Sequence, residues 1–165
     1  MRPVTEPEIR ASFVNCTKGE AKRLAVPRDL GTRPWADLDF LGWRDASGPD
    51  RAYLVAESGD ALVGIMLRRA VPHAGHSRRS MCSFCLTMHS GDGVSLLTAR
   101  RAGRDGQQGN SVGAYVCTDL ACSLYVRGKK EVGAGGRLHE TLTLEEKIER
   151  TAANLADFVD KVTAG

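Results

Sequence analysis

Two pairs of cysteines constrain this chain more than any other feature. Cys82 and Cys85 stand in Met81-Cys-Ser-Phe-Cys-Leu86, and Cys117 and Cys122 in Tyr115-Val-Cys-Thr-Asp-Leu-Ala-Cys122. A C-x2-C pair followed about thirty residues later by a C-x4-C pair has the spacing of a two-halved zinc site. Zinc takes four ligands tetrahedrally, and thiolates from two short loops satisfy it without water. The first pair fits a knuckle, a tight turn in which two sulfurs face one point. The second straddles the end of a strand and the start of a helix. The stretch from Met81 to Lys130 therefore reads as a treble-clef zinc module, with Zn2+ held by Cys82, Cys85, Cys117 and Cys122.

Other uses of these cysteines fit less well. A disulfide framework prefers an even count in a small secreted domain, whereas this chain has five cysteines in 165 residues. Its first residues, Met1-Arg-Pro-Val-Thr-Glu-Pro7, lack the apolar core of a signal peptide. A redox pair at Cys82 and Cys85 would follow a strand in a βαβ pattern and leave the C-x4-C pair unexplained. Cys16 reads as a buried free thiol. His73 and His76 lie near Cys82 in sequence, but four cysteines already complete the shell, so both are expected at the surface.

Length and composition suit one domain of residues 1–165, with a lean interior. Only nine aromatics are available, against eighteen glycines, so a metal whose binding energy becomes folding energy would help. No 18-residue apolar run occurs, which argues against a membrane partner. The expectation is a reduced, cytoplasmic protein. Charge is lopsided: residues 61–130 hold ten Lys/Arg and three acids, a surplus of seven. The clusters are Arg68-Arg69, Arg78-Arg79, Arg100-Arg101 with Arg104, and Arg127 with Lys129-Lys130. Four thiolates around a dication remove about two of those charges, which leaves the segment positive and suited to an anionic partner.

The order of elements follows from local signals. Thr5 and Glu8 make a capping box for a helix whose buried stripe is Ile9, Phe13, Val14 and Cys16, ending at Lys18-Gly19. A short second helix spans 20–26. The aromatic stretch Trp35, Leu38, Phe40, Leu41 and Trp43 is expected in the core. Residues 51–57 and 61–67 read as a hairpin turning at Ser58-Gly-Asp60. Residues 94–100 and 112–117 read as paired strands, joined by a mobile basic loop from Arg101 to Ser111. A helix over 120–127, capped by Thr118 or Asp119, places Cys122 in its first turn. Residues 131–138 form a glycine-rich linker. Thr143 and Glu146 make a capping box for a C-terminal helix over 141–163, with Leu144, Ile148, Ala152, Leu155, Phe158, Val159 and Val162 on one face. The fold class is α+β: a small antiparallel sheet with flanking helices and a treble-clef zinc finger. Its parts are a helical and hairpin body (1–80), the zinc module (81–130) and the last helix.

At Leu38-Asp-Phe-Leu-Gly-Trp-Arg-Asp45 and at the two cysteine segments, the chain resembles the elongation factor G-binding proteins of the FusB type, in their C-terminal treble-clef zinc-finger domain. The resemblance spans nearly the whole chain. It implies a four-ligand zinc site at the four cysteines and a partner in elongation factor G or the ribosome bearing it, in translation or in protection against fusidic acid. The separate N-terminal helical bundle of the resistance members has no counterpart in these residues, so a translational partner is expected more firmly than resistance itself.

No chemistry is expected. A catalytic zinc keeps one position open, and four cysteines close the shell. Nucleophile elbow, Walker loop and dinucleotide fingerprint are all missing from the sequence, and no small-molecule substrate is implied. Two binding modes remain. In one, the module docks on a translation factor through a positive surface and Phe84 as an outward anchor at the knuckle tip. In the other, the clusters Arg78, Arg79, Arg100, Arg101, Arg104, Lys129 and Lys130 grip ribosomal RNA or another nucleic acid directly. Phe84 could instead pack on Tyr115 or Tyr125.

Overall fold

A computed structural model describes residues 1–70, 79–133 and 140–164. Arg78, His73, His76 and most of the glycine-rich linker lie outside the described residues. Five strands form one antiparallel sheet: β1 (Phe40–Arg44), β2 (Arg51–Ser58), β3 (Ala61–Arg69), β6 (Val94–Arg100) and β7 (Ser111–Cys117), in the order β1-β2-β3-β6-β7. Two short strands, β4 (Ser80–Met81) and β5 (Met88–His89), pair beside it. Among the described residues five α-helices accompany them: α1 (Glu6–Ser12), α2 (Lys18–Arg23), α3 (Gly103–Gln107), α4 (Cys122–Val126) and α5 (Leu144–Thr163). The α+β expectation holds, as do both strand pairs and the two-residue turn at Gly59 and Asp60, with Ser58 opposite Ala61.

The second part of the aromatic stretch is a strand as well as core, while Trp35 stands before it in a short helical turn and is half-buried. β1 runs antiparallel to β2 and sends alternate residues to opposite faces. Phe40 enters a core with Leu54, Ile65, Leu97, Val116, Phe158 and Val162, on the face covered by the cysteine segments and α5. Leu41 and Trp43 join Ile9, Leu24, Tyr53 and Val55 on the other face, beneath α1 and α2.

The N-terminal helix is shorter than its stripe predicts. The Thr5–Glu8 box forms, with Thr5 N–H donating to the Glu8 carboxylate at 2.8 Å. The helix ends at Ser12, because Phe13 to Asn15 turn extended and run along β3. Val14 N–H donates to Gly64 O at 3.0 Å. The Asn15 amide exchanges bonds with Met66, donating to its carbonyl at 3.0 Å and accepting its N–H at 2.8 Å. It also donates to Arg100 O at 3.0 Å, filling the gap where β3 and β6 part. Gly64 permits this approach: a Cβ there would lie 2.5 Å from Ser12 Oγ. Lys18 and Gly19 begin α2 instead of ending α1, since Thr17 and Glu20 form a second capping box.

The segment after β6 also differs from expectation. In place of a mobile loop, Gly103 to Gln107 form a helical turn. Gly106 sits so close to Arg101 that a Cβ would be 1.8 Å from its carbonyl oxygen. In α5 the buried residues are Thr151, Leu155, Phe158, Val159 and Val162; Leu144 and Ala152 are exposed and Ile148 is half-buried.

Candidate metal centre

The two cysteine segments meet on the sheet face shared with α5. Cys82 and Cys85 occupy the tight turn between β4 and β5, which Leu86 leaves with a positive φ of 54°. Cys117 ends β7. Leu120, at φ 57°, reverses the chain so that Cys122 opens α4 beside it. All four side chains are buried, and their sulfurs lie within 4.8 Å of one another. The separations Cys82–Cys122 and Cys85–Cys117 are 3.7 and 3.6 Å. A tetrahedron with zinc–sulfur bonds of about 2.3 Å has sulfur–sulfur edges of about 3.8 Å, so the donor set fits Zn2+ in number, chemistry and spacing. Thiol donors from Cys117 and Cys122 pull Cys82 well below the usual thiol range, while burial and the neighbouring sulfurs push Cys122 well above it. Four sulfurs this close ionise together only around a cation.

Groups around the cluster orient it. Phe84 N–H donates to Cys82 Sγ at 3.4 Å, and Thr87 Oγ1 lies 3.2 Å from Cys85 Sγ. His89 is buried with Nε2 3.4 Å from Cys117 Sγ, placed to donate to a thiolate. Its ring meets Tyr125 edge-on at 4.7 Å. Tyr125 O–H donates to Asp119 at 2.8 Å, and Lys130 Nζ reaches the same oxygen at 2.8 Å. Against the upward push of burial, Lys130, the Ala121 N–H and Tyr125 hold Asp119 below the ordinary carboxylate range. Burial and Asp119 push Tyr125 up, keeping it a neutral donor. His89, four residues beyond Cys85, went unnoticed in the sequence; only its short distance from the knuckle could have marked it.

The tryptophan-containing segment anchors this centre to the body. Asp39 N–H donates to Ser123 Oγ at 2.9 Å, and its carboxylate takes Arg127 in a two-pronged pair at 2.7 and 2.8 Å. Gly42 lies under the Cys117–Cys122 loop: a Cβ there would stand 2.4 Å from Leu120 Cβ.

Phe84 is not the outward anchor expected of it. Only 2% of it is exposed. Its ring packs against Phe40 at 6.1 Å and Phe158 at 5.4 Å rather than Tyr115 or Tyr125, because β1 and α5 converge beneath the knuckle. The basic residues are dispersed. Arg79, Arg100 and Arg104 are exposed. Arg101 pairs with Asp105 at 3.5 Å and donates to Ala164 O. Lys129 pairs with Asp37 at 2.6 Å and Lys130 with Asp119, so much of their charge is answered locally. Cys16 is half-buried and takes no part in the cluster. No helix among the described residues is long and apolar enough to cross a membrane.

The model of the FBP C-terminal treble-clef zinc-finger family matches residues 8–162. No curated protein matches the sequence. Among solved structures, that of the fusidic acid resistance protein FusC is similar, with a TM-score of 0.50 at 17% identity over 88% of this chain and 53% of that one. The likeness is one of fold, and this chain spans about half the length of that protein.

Proposed function

The chain belongs to the FBP C-terminal treble-clef zinc-finger family, and on that premise we propose that it binds elongation factor G, or the ribosome carrying it, and performs no chemistry of its own. The observation that carries this reading is the closed ligand set. Four buried cysteines fill the tetrahedron, so zinc in this site links two loops and presents no open position to water or substrate. His89, Thr87 and the Phe84 N–H then stabilise sulfur charge and fix the shape of the module.

Docking needs anchors on the outside of that module. With Phe84 in the core, exposed large apolar residues near the cysteine segments include, among the described residues, Met81, 42% exposed beside the first ligand, and Leu144, 51% exposed at the start of α5. Leu144 borders a cavity of about 280 Å³ with Leu86, Thr87, Val126 and Lys147. Methionine adapts to a partner's surface, and Arg79 next to it supplies positive charge. The factor is expected to be acidic, as in the family resemblance, so a basic border speeds encounter while apolar contacts hold the complex.

Calorimetry of the zinc-loaded chain with purified, nuclease-treated elongation factor G at moderate salt is the test. Saturable heat is expected, with faster dissociation for Met81→Asp or Leu144→Asp and slower association for Arg79→Glu. The absence of any heat with correctly folded, zinc-loaded protein would overturn the proposal.

A further inference from the structure

The two faces of the sheet are covered unequally. Leu97 and Ala99 of β6, and Val112, Ala114 and Val116 of β7, enter or pack against the core shared with the zinc module and α5. Alternation along the strands sends Leu96, Thr98, Arg100, Ser111, Gly113 and Tyr115 to the opposite face. The apolar cluster beneath α1 and α2 draws on β1, β2 and β3 and includes nothing from β6 or β7. Among the described residues, half of this face therefore has no apolar layer over it.

We propose that this open half of the sheet binds single-stranded RNA, with Tyr115 stacking on a base and Arg100 meeting the phosphate backbone. Tyr115 is 56% exposed, the most exposed of the large hydrophobic residues among those described. Its cross-strand partner is Leu96, and the neighbouring pairs are Thr98 with Gly113 and Arg100 with Ser111. Gly113 keeps the lane beside the tyrosine ring low. A Cβ there would already touch Leu96 Cδ1 at 3.3 Å and Thr98 Cγ2 at 3.5 Å. A flat lane with an aromatic ring at one end and hydroxyls along it suits a base face and its edge groups, which only an unpaired strand offers.

Charge selects the same occupant. The lane opens onto a cavity of about 510 Å³ lined by Asn15, Thr17, Met66, Arg68, Arg100 and Gln107, among others. Of the acids around it, Asp50 pairs with Arg68 at 3.4 Å and Asp105 with Arg101 at 3.5 Å, while Glu20 accepts from Thr17 in its capping box and also feels the charge of Arg100. Arg100 forms no ion pair among the described residues and stands exposed at the junction of lane and cavity. A protein helix seated here would need a contiguous apolar stripe. The face offers instead one aromatic, two hydroxyls and guanidinium groups, the combination that grips unpaired nucleotides. This inference rests on the open face alone and not on docking to elongation factor G.

The test is fluorescence anisotropy of a labelled oligouridylate with the full zinc-loaded chain at two salt concentrations. Saturable binding that weakens with salt is expected. Tyr115→Ala should weaken it about 5- to 100-fold, the range that loss of one base–aromatic stack produces, while Tyr115→Phe should stay within about twofold. Arg100→Gln should make the salt dependence shallower by about one phosphate contact. Both positions are exposed, so zinc content and thermal midpoint serve as fold controls. No saturable binding by the parent chain would overturn the proposal, as would a Tyr115→Ala variant that binds like the parent. A third adverse outcome is that Tyr115→Ala and Arg100→Gln leave RNA binding unchanged yet abolish binding to elongation factor G, which would assign the face to a protein. Neither RNA readout uses the factor, so its failure and that of the docking proposal are separable.

Discussion

Replacing Asp39 by alanine tests how the zinc module is held to the sheet. Asp39 accepts Arg127 through both carboxylate oxygens, at 2.7 and 2.8 Å, and the two side chains are only 11% and 13% exposed. Removing one partner of a buried pair strands the other charge, at a cost of about 3–5 kcal/mol. Arg127 retains a bond to Ser123 O at 3.2 Å and a small exposed fraction, which lowers the expected loss to about 2–4 kcal/mol. For a chain of this length each kcal/mol moves the thermal midpoint by about 2–4 °C, so Asp39→Ala should melt roughly 4–16 °C lower. Arg127→Met made with Asp39→Ala removes the stranded charge and should recover much of that loss. The assay is thermal melting in excess zinc, with all four members of the double-mutant cycle. A midpoint for Asp39→Ala within about 2 °C of the parent, or a cycle additive to about 0.5 kcal/mol, would refute the argument.

Three further outcomes are expected. Metal analysis should find one zinc per chain, lost on Cys117→Ser and kept on Cys16→Ser, since only the former belongs to the four-sulfur cluster; the reverse result would overturn the assignment. Phe158→Ala removes the ring against which Phe84 packs at 5.4 Å and should destabilise by about 3–5 kcal/mol, with faster zinc release to a chelator; a melt unchanged from the parent would detach α5 from the core. Hydrogen bonds from Thr5 hold the Glu8 carboxyl down at about 2, from the ordinary 4.5. A depressed folded value means its contribution is complete above pH 4.5 and is lost as pH falls toward 2. A carboxyl titration by NMR with its midpoint above 4 would contradict this.

The parts legible in the sequence were those written locally. Cysteine spacing marked all four ligands, capping boxes at Thr5 and Thr143 marked helix starts, and alternation with a Gly-Asp turn marked the β2–β3 hairpin. What failed depended on partners far along the chain. Phe84 looked exposed because a knuckle tip points outward; Phe40 and Phe158, 44 and 74 residues away, draw it inward. The stripe Ile9, Phe13, Val14 suggested one long helix, but Gly64 offered the backbone an extended path along β3. Lys129 and Lys130 counted toward a positive cluster until Asp37 and Asp119 appeared beside them. His89 offered only its nearness to the knuckle, since its role exists once β7 brings Cys117 near.

Gly42 and Cys117 belong to strands at opposite borders of the sheet. Leu120 follows Cys117 by a tight turn, its N–H donating to Cys117 O at 2.8 Å, and already lies on Gly42. The sheet therefore curls until its two borders approach each other, and α4 continues to Asp39. One metal ion thus pins the loop that joins the two border strands. Withdrawing the ion loosens both borders in a single event, and a loosened border is a row of unpaired backbone groups that templates another chain. The expected hazard of metal depletion is therefore aggregation, strand against strand.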